Sequence, residues 1–159
     1  MARLNRVLDA IGFEPETGPG RHTPILVVAR RHMAQAEATM GDIRLVRVYD
    51  HEPQHGGRTY LVERLWPRGV RREDVHFDAW CKDVAPSTEL RKWFNHDPVK
   101  WPEFHRRYSR ELDANQDAWR PLVDAAAKGD VTLLYSSRDR EHNNAVVLRD
   151  YLLTHLRES

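Results

Sequence analysis

Residues 131–144 read VTLLYSSRDREHNN and change from a continuous apolar run to a dense polar cluster within two residues. Val131 to Tyr135 has the length and β-branched content of a strand buried on both faces, the habit of parallel sheets. Ala145 to Leu156 then reads as a helix. Ser136, Ser137, Arg138, Asp139, His142, Asn143 and Asn144 therefore fall where a strand hands over to a helix. In open α/β sheets that carboxyl edge collects ligands, because loops converge there and the next helix presents unpaired N–H groups to anions.

Two further stretches carry strand propensity upstream, Ile43 to Tyr49 (IRLVRVY) and Thr59 to Trp66 (TYLVERLW), separated by the turn-rich His51 to Arg58. Phe77 to Val84 alternates too poorly to be assigned. Pro86-Ser87-Thr88-Glu89 is a helix start with a hydroxyl cap and a first-turn carboxylate, and Asp97-Pro98 is its stop. A second helix is expected from about Lys100 to Asn115, with Trp101, Phe104, Tyr108 and Leu112 on one face, and a third from Trp119 to Lys128 before Gly129. The order strand, strand, three helices, strand, helix defines an α/β class: a small two-layer or three-layer domain with a mostly parallel sheet and flanking helices.

Residues 1–40 differ from the rest. Leu4, Val7, Leu8 and Ile11 allow a short amphipathic turn pair, Ile25 to Ala29 a strand, and Met33 to Met40 is alanine-rich, with a Pro and Gly loop between. That is little core for so much chain. The expected organisation is an N-terminal extension over 1–40 and a single α/β domain over 41–159.

Composition excludes more than it identifies. At 159 residues, 40% hydrophobic and 31% charged, the chain is an ordinary globular domain, and a formal charge of +1 gives no global field toward nucleic acid or an anionic membrane. No apolar run approaches membrane-spanning length, so no membrane partner is expected. A single cysteine, Cys81, rules out an internal disulfide framework and suits the reducing cytoplasm, where it is expected to be an inert thiol. The nine histidines show no zinc-ligand spacing, and no metal site is assigned. Glycine-rich phosphate loops and serine elbows are absent, so no cofactor follows from motif.

The polar residues at the strand ends carry the functional expectation. Arg64, Arg68, Arg71 and Arg72 sit at the exit of the second strand, interleaved with Trp66 and Pro67, and guanidinium groups recognise phosphate or carboxylate in bidentate fashion. Tyr49 and Asp50 close the first strand. Arg64, Arg68 and Arg138 are assigned to bind an anion, with Tyr49, Ser136, Ser137 and Asn143 orienting it. Asp50, Asp139 and His142 are the candidates for proton transfer. Blander readings stand beside these: an ion-paired arginine, a core indole, an Asp139 that only caps a helix.

The strings TYLVERLWPRGV, DAWCKDVAPSTELRKWFNHDP and VTLLYSSRDREHNNAVVLRDYL, collinear from Ile43 to Leu156, resemble the YeaO-like family of small bacterial proteins, catalogued as domain of unknown function 488. The resemblance implies an α/β domain of undetermined activity and supplies no reaction, cofactor or substrate. Two positions depart from the family pattern. Glu63 stands where Asp is usual, and Asn144 where a His is usual.

The resulting expectation is a hydrolase or transferase acting on a phosphorylated small molecule or nucleotide at a strand-end cleft. The alternative is a non-catalytic nucleic-acid or anion-binding module, which needs Arg64 to Arg72 to share a face with Arg106, Arg107 and Arg110. The oligomeric state is not legible. Tyr49, Asp50, Arg64, Arg68, Ser136, Arg138, Asp139 and His142 are all expected to line one concave surface.

Overall fold

The computed structural model describes residues 40–53 and 55–159. The expectations for residues 1–39, including the strand at Ile25 to Ala29, lie outside the described residues. Four strands form one sheet: β1 (Ile43–Arg47), β2 (Arg58–Leu61), β3 (Ala79–Trp80) and β4 (Val131–Tyr135), in the order β1-β4-β2-β3. Every pairing is parallel, with Arg47 opposite Tyr135 and Leu61 opposite Leu134. The carboxyl ends of β1, β2 and β4 thus share one edge.

β4 is central, and all five of its residues are buried. Val131, Leu133 and Tyr135 join the helical core, while Thr132 and Leu134 face residues of the loops after β1 and before β3, including His51 and Val75. This period of two on a strand apolar throughout explains why the run reads as continuous rather than alternating. Gly57 precedes β2 at φ 97, where a side chain would strike the Asp130 backbone, so the close start of β2 beside β4 requires glycine.

Four helices flank the sheet among the described residues: α1 (Thr88–Phe94), α2 (Trp101–Asp113), α3 (Gln116–Lys128) and α4 (Asn144–Glu158). α4 packs on β1 and β4, α3 on β4, and α2 and α3 on α4. Ser87 caps α1 by accepting from the Leu90 N–H, as its sequence foretells. The stop comes earlier than Asp97-Pro98, at Asn95, whose left-handed φ of 46 ends the helix. Asp97 instead caps a 3₁₀ turn, Pro98–Lys100, that leads into α2. The unassigned Phe77 to Val84 holds the two-residue β3 and a 3₁₀ turn.

Candidate functional site

At the shared strand edge a cleft of about 350 Å³ opens between the β2 and β4 exits and the C-terminal turn of α1. Phe94, Phe104 and Pro86 are buried and supply apolar lining, whereas Leu65, Thr88, Lys92, Asn95 and His96 are exposed at its mouth. Glu63, Arg91, Ser136, Ser137, His142, Asn143 and Asn144 complete the lining.

Glu63 follows β2 by two residues, and its Oε1 accepts from the Ser136 N–H at 2.9 Å and from Ser136 Oγ at 3.1 Å. Burial pushes its carboxyl above the usual carboxylate range, against the hydrogen bonds from Ser136 and the positive fields of Arg91 and His96. Glu63 Oε2 accepts no hydrogen bond among the described residues. Ser137 Oγ is buried and likewise has no partner among them. A buried polar atom left unpaired costs about 1–3 kcal/mol, so Ser137 Oγ calls for a compensating role.

The opposite wall comes from α1 and its exit. Arg91 hydrogen-bonds only through its backbone among the described residues, leaving its guanidinium free, and Lys92 follows it. Asn95 and His96 hold positive φ, 46 and 55. The left-handed region costs a residue with a side chain about 1–2 kcal/mol, and this turn places both residues at the cleft mouth.

His142 Nδ1 lies 3.0 Å from Asp139 Oδ2, and its ring meets Trp101 edge-on with centroids 5.1 Å apart. Asp139 Oδ1 also accepts from the backbone N–H groups of Glu141 and His142, and these bonds hold its carboxyl below the ordinary value. The cap of α4 is not Asp139 but Asn143, 2% exposed, which accepts from the Val146 N–H and donates to the Asp139 carbonyl. Asn144 donates to the Val62 carbonyl at 2.8 Å, joining α4 to the β2 exit.

The expected single concave surface divides in two. Ser136, Ser137, His142 and Asn143 line the cleft. Arg64 does not: it donates to the carbonyls of Ala85 and Pro86 at 3.1 and 3.0 Å, satisfying backbone ahead of the α1 cap. Asp50 accepts both terminal nitrogens of Arg140, at 2.8 and 3.0 Å, and lies 3.9 Å from Arg47. Arg140, 90 residues distant in sequence, pulls the Asp50 carboxyl below its ordinary value. Tyr49 donates to the Arg68 carbonyl under the Arg47 guanidinium, and the side chains of Arg68 and Arg138 are exposed away from the cleft lining.

Other sequence candidates are absorbed by packing. Trp66 stacks edge-on against Trp80, centroids 5.3 Å apart, and its ring N–H donates to Val70. Arg71 pairs with Asp74, and Arg106 and Arg107 share the single carboxylate of Glu103, so the basic clusters are neutralised only in part. Burial pushes the Cys81 thiol up, away from nucleophilic character. Among the described residues no three His, Cys, Asp or Glu side chains gather as metal ligands, and no helix is long and apolar enough to cross a membrane.

Fold and cleft together define a small parallel α/β domain with a polar, strand-end pocket. The chain belongs to the DUF488 family: residues 42–159 match the group described as the inactive DUF488-N3 subclade. It is similar to the uncharacterized protein YeaO of Escherichia coli, 42% identical over 111 residues that cover 70% of this chain and 96% of that protein. It is also similar to the uncharacterized proteins Rv3073c of Mycobacterium tuberculosis and Mb3100c of Mycobacterium bovis, each 38% identical over 110 residues, 69% of this chain and 92% of theirs. No solved structure matches significantly.

Proposed function

We propose that the domain binds a small phosphorylated ligand in the β2–β4 cleft and holds it without turnover. The observation that carries this reading is the gathering in one cleft of groups without a side-chain partner among the described residues: Glu63 Oε2 and the buried Ser137 Oγ from the strand exits, and the Arg91 guanidinium with Lys92 from α1. Cations facing a half-buried pocket suit a phosphate or carboxylate. The subclade's description as inactive favours binding over catalysis. The ion pairs of Arg71 with Asp74 and of Arg106 and Arg107 with a shared Glu103 reduce the cations available to a nucleic-acid backbone, which needs several on one face.

One observation favours the catalytic alternative. The Asp139–His142 pair orients an imidazole in a cleft that also holds Glu63, whose proton affinity is raised by burial, and such combinations serve general acid–base chemistry.

The test is a thermal-shift screen of the full chain against sugar phosphates, nucleotides and inorganic phosphate, with each hit incubated and assayed by mass spectrometry for consumption. A ligand at about a hundred times its Kd adds roughly 2.7 kcal/mol to stability. Stabilisation without consumption supports binding. Consumption that disappears in His142→Ala transfers the site to the enzyme reading, and no shift with any phosphorylated compound removes the anion reading.

A further inference from the structure

Resting on that reading of the cleft, we infer that the ligand class is a ribose phosphate, free or within a mononucleotide, with its sugar hydroxyls turned inward to Glu63 and Ser137 and its phosphate outward to Arg91 and Lys92. The pocket is polarised from floor to mouth. Glu63 offers an acceptor with one oxygen already held by Ser136, so Oε2 seeks a donor and repels a phosphate. Ser137, the next residue after Ser136, brings a buried hydroxyl that both donates and accepts and has no partner among the described residues. A vicinal diol meets that demand: one hydroxyl donates to the carboxyl and its neighbour exchanges a hydrogen bond with the serine.

The remaining walls fit the same molecule. Phe94, Phe104 and Pro86 offer apolar surface to the carbon face of a sugar, and α1 brings Arg91 and the exposed Lys92 to the lining of the same cleft. The volume of about 350 Å³ lies at the low end of ligand pockets, which run from about 300 to 1,000 Å³. One sugar phosphate or mononucleotide therefore fits better than a dinucleotide. A carboxylate after a parallel strand holding a ribose hydroxyl is also how dinucleotide folds read the sugar. Here side-chain cations take the place of the glycine-rich loop.

Isothermal titration of the full chain with ribose 5-phosphate, 2-deoxyribose 5-phosphate, AMP, dAMP, free ribose and inorganic phosphate tests this. The ribo compounds should bind roughly tenfold more tightly than their 2-deoxy counterparts, the loss of one charge-assisted hydrogen bond. Glu63→Gln retains an acceptor for Ser136 and should erase that preference while keeping phosphate-dependent binding. Ser137→Ala, which removes a hydroxyl bonded to nothing among the described residues, should reduce the preference with the fold intact. Equal affinity for ribo and deoxy ligands, or a preference that survives both variants, overturns the inference and leaves the anion reading standing. Failure of every phosphate-bearing compound to bind overturns both.

Discussion

Two polar clusters occupy the same carboxyl edge of the sheet and treat their charges in opposite ways. After β1, Asp50, Arg140 and Arg47 pair with one another, and Tyr49 closes onto the Arg68 backbone. After β2, among the described residues, Glu63 is tied on one oxygen only, Ser137 Oγ is unpaired, and the Arg91 guanidinium makes no hydrogen bond. Both clusters arise from parallel strands ending in register, so topology alone does not separate them. What separates them is satisfaction: the first pairs its charges internally, whereas the second leaves polar groups unpaired among the described residues, where the proposed ligand would bind.

The largest effect should come from the strand that both clusters share. Leu133, fully buried in β4, borders neither cluster directly, and Leu133→Ala should cost about 2–5 kcal/mol in chemical denaturation. If ligand affinity were unchanged while stability fell this far, the cleft would be less dependent on β4 than the topology implies.

Arg91→Ala should sharpen the contrast in binding. Loss of hydrogen bonds to a charged group is worth about 1.5–3 kcal/mol, a ten- to hundredfold drop in affinity for a phosphorylated ligand. Stability should move by no more than about 0.5 kcal/mol, as for a half-exposed side chain that loses no hydrogen bond to the described residues. Calorimetric titration beside urea unfolding separates the two quantities.

The two carboxylates should respond to acid with opposite sign. Asp50 has its folded pKa lowered by Arg140, so its stabilisation is present above the ordinary aspartate value and is lost as the pH falls through the folded one. Asp50→Asn should therefore destabilise at neutral pH, and the gap should close in acid. Glu63 has its folded pKa raised by burial, so its stabilising proton is held below the ordinary glutamate value and lost as the pH rises through the folded one. Glu63→Gln should thus stabilise at neutral pH, with an advantage that also fades in acid. Thermal melts of both variants from about pH 3 to about pH 8, a range that brackets the ordinary carboxylate values of about 4, reveal the signs. Two variants shifted in the same direction would break the comparison.

The smallest effects belong to Arg68 and Arg138. Their exposed side chains lie outside the cleft lining, and replacing either with Ala should leave stability within about 0.5 kcal/mol and binding unchanged.

The sequence announces the parts of this arrangement that depend on local pattern. The all-apolar β4, its polar exit, the Ser87 cap and the aromatic stripe of α2 follow from periodicity and capping chemistry, and they locate Ser136, Ser137 and His142 at the right edge. β3 escaped because two residues at a sheet edge have no period to read. The fate of Arg64 depends on the carbonyls of Ala85 and Pro86, some twenty positions away, which only tertiary packing brings within reach. Asp50 reads as a turn or a base because its partner, Arg140, is 90 residues distant. Arg91 reads in the sequence as one more charged residue of an amphipathic helix. The hint was its position one turn before Asn95-His96, a pair that stops a helix and carries polar side chains into the adjoining space.

The most direct measurement is a ¹H–¹⁵N titration of the full chain with a phosphorylated sugar, followed amide by amide. The account predicts saturable shifts concentrated at Arg91, His96, Ser136 and Ser137, with Tyr49, Asp50 and Arg140 still. Saturable shifts centred on Asp50, Arg68 and Arg140 with the cleft silent would contradict it.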